Sequence, residues 1–493
     1  MCTRFLPVVL LALLAFAAAG CGSSSKTSPG GGGGSTPAGA SMVRAGVLAF
    51  VAIDSDLGSS QWKQLDTLSQ KFPGRDKAIV QLKQSLSQKG LDYDRDVKPA
   101  LGPEFDVAIA GASLGSANVV ALTKPDDADK FKALVTKLNS SDSSTSKAVY
   151  RQVGEWFALS DSQAAINDVV KTSGNTLDGD KVFTGALGKL SDDALARAYV
   201  DGQQLKTLIR QTSAQSGTSL GASALGLDKL KYVAASASAE EDGVRVRGAS
   251  AGFNTGSGDF SSKLMDGVPG DAFAFLSFDG KGSRAQLERL KSNPQLGGAF
   301  SQMQQMLGVS FEQVVALLSG EIAFYARPGA GIPEFTLALE EQDESGALAT
   351  LDKLATRLAA GSGARVVPGK QGGHDVKTID LGRFAIHYGG LGGKVLLTSG
   401  VSGIADYGDS GEHLADSADF KDAKAAAGLP DSNGGFTYLD LKDALPLLEG
   451  FAALAGQDLP AEVTENLRPL RSFLAWSAGS GDTRTYDAFL EIK

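Results

Sequence analysis

Cysteine is nearly absent, with Cys2 and Cys21 alone among 493 residues. Histidine is almost as scarce: His374, His387 and His413 are the full set, and none stands at ligand spacing from another. A zinc site would need all three plus carboxylates. The first half of the chain holds no histidine, so a serine nucleophile there would lack its usual base. A basic stripe is missing too. Lys and Arg total 47 against 56 Asp and Glu, for a net charge of -9 and a pI near 5.1. That balance argues against nucleic acid as a partner and against electrostatic docking on anionic lipid.

What is present begins with a targeting segment. Arg4 supplies a positive end, and residues 5–19 are apolar. The run is shorter than the ~20 residues of a membrane-spanning helix and fits a secretory signal. It ends Ala18-Ala19-Gly20-Cys21, which resembles the lipobox of bacterial lipoproteins, with Ala18 in place of the usual Leu. The resemblance implies diacylglyceryl attachment at Cys21 and membrane anchoring on the extracytoplasmic face. The other thiol, Cys2, lies inside the signal, so the mature chain has no disulfide to form. Residues 22–40, GSSSKTSPGGGGGSTPAGA, are too rich in Gly and Ser to bury a core. As a random coil this tether spans about 25 Å.

The rest reads as two copies of one unit. Residues 101–122, LGPEFDVAIAGASLGSANVVAL, return without a gap as residues 318–339, LSGEIAFYARPGAGIPEFTLAL. Identity is confined to Leu101/Leu318, Glu104/Glu321, Ala121/Ala338 and Leu122/Leu339. Both stretches run apolar strand, Gly-containing turn, apolar strand, which is a hairpin pattern. Before each comes a strand ending in Asp, at Asp54 or Asp279, and then two helical stretches. After each comes a helical stripe, Phe131, Leu134, Val135, Leu138 or Leu351, Leu354, Ala355, Leu358, at the spacing of a helix packed on a sheet. More strands follow, with an extra strand or longer hairpin in the second copy. Residues 211–224 read as a loop and residues 254–259 as the junction.

Hairpins dominate, so the expected fold is α+β: a tandem duplication with largely antiparallel sheets and helices packed on one face. The expected boundaries are 1–20 for the signal, 21–41 for the lipidated Cys and linker, 42–254 for repeat 1 and 267–493 for repeat 2.

The run Gly90-Leu-Asp-Tyr-Asp-Arg-Asp-Val97, leading into Leu101-Gly-Pro-Glu-Phe105, resembles a bacterial family known only as a domain of unknown function, found in exported and membrane-attached proteins. The order of strands and helices resembles it across nearly the whole mature chain. The resemblance implies no activity.

No chemical motif survives inspection. Gly111-Ala-Ser-Leu-Gly115 and Gly217-Thr-Ser-Leu-Gly221 match G-x-S-x-G, but the elbow needs a strand, a sharp turn and a helix. Ser113 instead falls at a hairpin tip. Asp92, Asp94 and Asp96 alternate like the start of a calcium loop, yet Val97 and Pro103 occupy the positions that require Gly and Glu. Residues 389–393 are a glycine hairpin turn, since no helix follows to complete a phosphate cradle. The strand-ending Asp54, Asp201, Asp279 and Asp440 read as helix caps. We therefore expect no catalytic, cofactor or metal residues, and no cofactor. The expected function is a non-enzymatic binding or scaffold module, held to the membrane by its lipid and meeting an envelope protein or ligand. The alternative is a carrier of a solute or lipid.

Overall fold

The computed structural model describes residues 35–493, apart from 112–117, 142–146, 172–173, 217–225, 254–257, 292–296, 330–331, 383, 410, 455–458 and 480. Cys21, Ser113 and the second G-x-S-x-G match lie outside the described residues. The chain forms two compact units. The first comprises Met1–Ser223, Leu227–Phe253 and Ile492–Lys493; the second comprises Ala224–Gly226 and Asn254–Glu491.

Unit 1 runs β1 (Ala49–Asp54), α1 (Ser60–Ser69), α2 (Arg75–Gln88), β2 (Glu104–Ala110), β3 (Asn118–Thr123), α3 (Ala128–Ser141), β4 (Val149–Val153) and β5 (Trp156–Ser160). It continues through α4 (Gln163–Val169), α5 (Lys181–Leu187), β6 (Ala196–Asp201), α6 (Gly202–Ser216), β7 (Tyr232–Glu240) and β8 (Gly243–Ala251). The sheet order is β4-β5-β3-β2-β1-β6-β7-β8, antiparallel throughout.

Unit 2 runs β9 (Ala274–Asp279), α7 (Gly280–Lys291), α8 (Gly297–Leu307), α9 (Phe311–Ala316), β10 (Glu321–Arg327), β11 (Glu334–Glu340), α10 (Glu344–Ser362), β12 (Arg365–Gln371), β13 (His374–Asp380), β14 (Ala385–Gly390) and β15 (Lys394–Thr398). Then come α11 (Gly403–Asp406), α12 (Ala418–Ala427), β16 (Phe436–Asp440), α13 (Leu441–Leu454), α14 (Ala461–Leu467), β17 (Leu470–Ala478) and β18 (Thr483–Ile492). Its order is β12-β13-β14-β15-β11-β10-β9-β16-β17, again antiparallel. Remove the β12–β13 hairpin, and strand follows strand in the order of unit 1. The class is α+β.

Side chains alternate across a strand, and both faces of each sheet carry a core. Phe50, Ala108, Leu122 and Tyr199 face Ile166 of α4 and Phe183 of α5. Phe105 lies on the other face, with Trp62, Leu86 and Leu134 of α1, α2 and α3. In unit 2, Phe275, Ala323, Ala338 and Tyr438 meet Phe420 of α12. Ile322 and Leu339 meet Leu351 of α10 on the reverse. Helices thus lie on both faces of each sheet rather than one. The short α5 and α12, absent from the sequence reading, supply the second layer. Each presents one Phe edge-on to a buried Tyr: Phe183 to Tyr199 at 5.1 Å and Phe420 to Tyr438 at 5.2 Å between ring centroids.

The gapless match of the hairpins holds for β2 and β10 and slips in the strands that follow. Asp54 pairs with Glu104 and Asp279 with Glu321, so Glu104 and Glu321 are equivalent. Phe105 then pairs with Thr123, whereas Ile322 pairs with Leu339. Thr123 therefore corresponds to Leu339 and Leu122 to Ala338. Ala110 and Asn118 close a loop one residue longer than that between Arg327 and Glu334. A one-residue slip exchanges the faces of a strand, which is why the apparent Leu122/Leu339 identity joins residues of opposite cores.

Two boundaries also move. The linker expected to reach residue 41 ends earlier, because a 3-10 turn at Ala38–Met42 is packed, with Gly39 and Ala40 buried. Repeat 2 starts before residue 267: Phe260 bridges Asn433, and Leu264 opens a buried turn, Leu264–Gly267. The loop expected over 211–224 is helical as far as Ser216.

These two turns are held alike. Glu104 Oε1 accepts the Gly39 N–H at 2.8 Å. Glu321 accepts from Leu264 N at 3.1 Å, Lys263 N at 2.7 Å, Ser262 Oγ at 2.5 Å and Ser277 Oγ at 2.6 Å. Val43 and Val268 follow at the same distance along the chain and accept from Leu177 N and Leu414 N.

Candidate functional site

The glutamate at the start of β10 fixes one wall of an open cleft in unit 2. Turn Leu264–Gly267 forms this wall, and residues 405–409 lock onto it: Tyr407 Oη donates to Leu264 O at 2.8 Å and Gly408 N to Gly267 O at 2.9 Å. A Cβ on Gly267 would lie 2.5 Å from the Tyr407 ring, so only glycine allows this approach. The floor comes from residues 319–320 and 340–342, and the far wall from the 391–394 turn. Glu341 N donates to Gly393 O at 2.9 Å, and Gly393 N to Glu344 Oε2 at 2.6 Å. The cavity volume is about 1280 Å³.

Three of its charged side chains, Lys263, Glu340 and Asp406, are held in ion pairs. Arg327 pairs with Asp406 and with Glu334 at 2.9 Å, and Lys263 lies 3.4 Å from Glu340. Glu341 differs. It is 8% exposed, its Oε2 accepts from Ser319 Oγ at 3.2 Å, and its Oε1 has no hydrogen-bond partner. Burial raises its carboxyl above the ordinary range, with Asp343 adding repulsion.

A second anomalous acid lies in the core of unit 1. Asp106 is fully buried beside the Gly39 turn, and neither of its oxygens has a hydrogen-bond partner. Burial, then the neighbouring Glu104, push its carboxyl well above the usual range, while Arg197 opposes them. A Cβ at Gly39 would come within 1.7 Å of its Oδ2, so the site is sealed. The sequence carries a sign of Asp106, which sits at an inward position of an alternating strand, and none of Glu341, an ordinary acid just past the end of β11.

The residues weighed from sequence fall elsewhere. Asp92 caps the turn Tyr93–Val97 by accepting from Arg95 N at 2.9 Å. Asp96 pairs with Arg95 at 2.9 Å and Lys137 at 2.8 Å, which hold its carboxyl well below the usual range. His387 Nδ1 lies 2.8 Å from Thr378 Oγ1 inside the sheet, and burial lowers its pKa. His413 belongs to the segment bridged to Pro269, and His374 lines the cleft. The histidines are thus on separate elements.

Three strand-ending aspartates cap helices. Asp201 accepts from Gln204 N at 2.8 Å, Asp279 from Lys281 N at 3.0 Å and Asp440 from Asp443 N at 3.0 Å. Asp54 does not, because α1 is capped by Ser59. Asp54 accepts from Ser59 Oγ at 2.6 Å instead. Among the described residues one carboxylate trio comes together, Asp419, Asp440 and Asp443. Lys442 lies 3.9 Å from both Asp419 and Asp443 and supplies their counter-charge.

No curated protein matches the chain. Solved structures that match include crystal forms IV, I and III of TP0453, at 11%, 10% and 10% identity. They cover 47% of this chain and 94%, 94% and 95% of those chains, with TM-scores of 0.23, 0.23 and 0.22. One family spans residues 6–492, both units included, and the chain belongs to it: the family described as protein of unknown function (DUF3352).

Proposed function

We propose that this protein is a lipid-anchored extracytoplasmic lipoprotein whose role is to bind a ligand in the unit 2 cleft, without catalysing its conversion. The observation that carries the reading is the cleft itself, at about 1280 Å³ with the buried, half-satisfied Glu341 in its wall. A buried acceptor without a donor costs about 1–3 kcal/mol, and a ligand donor removes that cost. The Ala-Gly-Cys21 end of the signal and the Gly/Ser tether after it support the anchor. The charged side chains in the lining favour a solute over a lipid if the protein acts as a carrier.

Two measurements test this. Cys21→Ser should abolish labelling by a fatty-acid probe and move the protein out of the membrane fraction; unchanged attachment overturns the anchor. Native mass spectrometry of the full chain extracted from membranes should show a retained ligand mass. Gln342→Trp, at an exposed position of the cleft, should remove it. Absence of any such mass overturns the cleft as the binding site.

A further inference from the structure

The chemistry of the cleft narrows its ligand, given that the cleft is the binding site. Its volume, about 1280 Å³, exceeds the ~300–1,000 Å³ that encloses a drug-sized molecule. A short oligomer fits it better than a single small solute. Six of its 21 lining residues are glycine, so the walls present main chain, which an extended backbone can approach closely. Among the described residues, aromatic platforms for stacking a base are missing from the lining: Tyr407 is the one Phe, Tyr or Trp there, and its hydroxyl is already spent on Leu264 O. An acyl chain is equally ill-matched to a wall with eight Asp, Glu and Lys side chains.

Those charges are of both signs. Once the pairs Lys263–Glu340 and Arg327–Asp406 are set aside, Lys281 and Lys394 bring positive charge to the lining, and Glu341, Asp266 and Asp409 negative. Glu341 is the distinctive one. Ser319 holds one of its oxygens, and the other is buried without a donor. A carboxylate so placed is completed by an N–H donor that brings its own positive charge. Lys394 lies opposite Glu340, the last residue of β11, and Glu341 follows it in the chain.

We propose that the cleft binds a short peptide end-on, with Glu341 accepting from the peptide's ammonium group and Lys281 and Lys394 serving its carboxylate.

The test is calorimetric titration of the full chain with tetraglycine, N-acetyl-tetraglycine and tetraglycine amide. Tetraglycine should bind, and N-acetylation should weaken it at least tenfold. Glu341→Gln should weaken tetraglycine by the same factor without weakening the acetylated peptide, and its melting temperature shows whether the fold is intact. Amidation of the carboxyl end, or Lys394→Gln, should each weaken binding several-fold and not add to one another. Equal binding of free and acetylated peptide overturns the assignment of Glu341. No binding of tetraglycine overturns the peptide proposal. If the membrane-extracted protein still carries a ligand mass lost in Gln342→Trp, the cleft remains a binding site for another chemistry. If it carries none, both readings fall.

Discussion

Gly39 faces Asp106 in unit 1; the equivalent residues in unit 2 are Leu264 and Ala323. The glutamates that clamp these turns are retained, but the material beneath them has been exchanged. Unit 1 puts no side chain above and a carboxyl below, whereas unit 2 puts a buried leucine above and a methyl below. The polarity is opposite, and unit 2 fills the place with the bulkier pair. A second exchange lies at the end of the following strand, where Lys124 and Pro125 correspond to Glu340 and Glu341. Unit 2 gains the half-satisfied acid of its cleft at a place where unit 1 has a proline. The duplicated frame has thus kept its clamps and aromatic pairs and varied the carboxylates around them.

The largest expected effect concerns the clamps. Glu321→Ala strips the acceptor from four donors, two of them backbone N–H groups, and should cost about 3–5 kcal/mol in urea unfolding. Glu104→Ala should cost no more than about 1.5 kcal/mol, since it also relieves repulsion on Asp106. Equal costs would mean that the two turns are held by something else.

Next comes the exchanged pair. Gly39→Leu alone forces a side chain onto Asp106, and Asp106→Ala alone leaves a cavity. Together they rebuild the unit 2 arrangement. A double-mutant cycle should give a favourable coupling of about 1–3 kcal/mol; additivity would show that the two positions do not compensate.

Asp106 also sets a pH dependence. Its folded pKa lies above that of the unfolded chain, near ~3.9. Between those values the native state holds the extra proton, so stability is greatest at the acid end and falls as pH rises toward the folded value. Asp106→Asn should flatten that fall and stabilise the protein at neutral pH, as read from melting temperatures across the pH range. A fall of undiminished slope in the variant would place its origin elsewhere.

The smallest effects separate the capping aspartates. Asp201→Ala, Asp279→Ala and Asp440→Ala should each cost about 0.5–2 kcal/mol, and Asn at each position less. Ser59→Ala should produce the cap loss for α1. If Asp54→Asn cost as much as Ser59→Ala, the carboxylate would be acting as more than a support for that serine.

Much of this frame could be read before the fold was known. The stripes of α3 and α10, the paired hairpins and the Tyr-x-Asp strand ends of β6 and β16 all declare themselves through period and position. Three features did not. The slip between Leu122 and Leu339 was hidden because both strands are apolar on both faces, so alternation gave no register. The strand β12 reads RVVPGKQ, and its Pro and Gly mask it. α5 is too short to show a stripe, and α12 is rich in alanine. The cleft acid was hidden for a different reason. A Glu at a strand end is ordinary, and only the depth to which the glycine turn and Ser319 bury it sets Glu341 apart.

The hairpin found in one copy only bears on how such a chain avoids assembling wrongly. Two equivalent sets of strands on one polypeptide invite strand exchange between neighbouring molecules, or growth into fibres by edge-to-edge addition. β12 pairs with β13 alone among the described residues. Along that margin it carries the exposed Arg365 and, at Pro368, a missing N–H, which is a surface that another strand cannot hydrogen-bond in full. The insertion therefore gives the strands of the second unit an outer margin unlike that of the first.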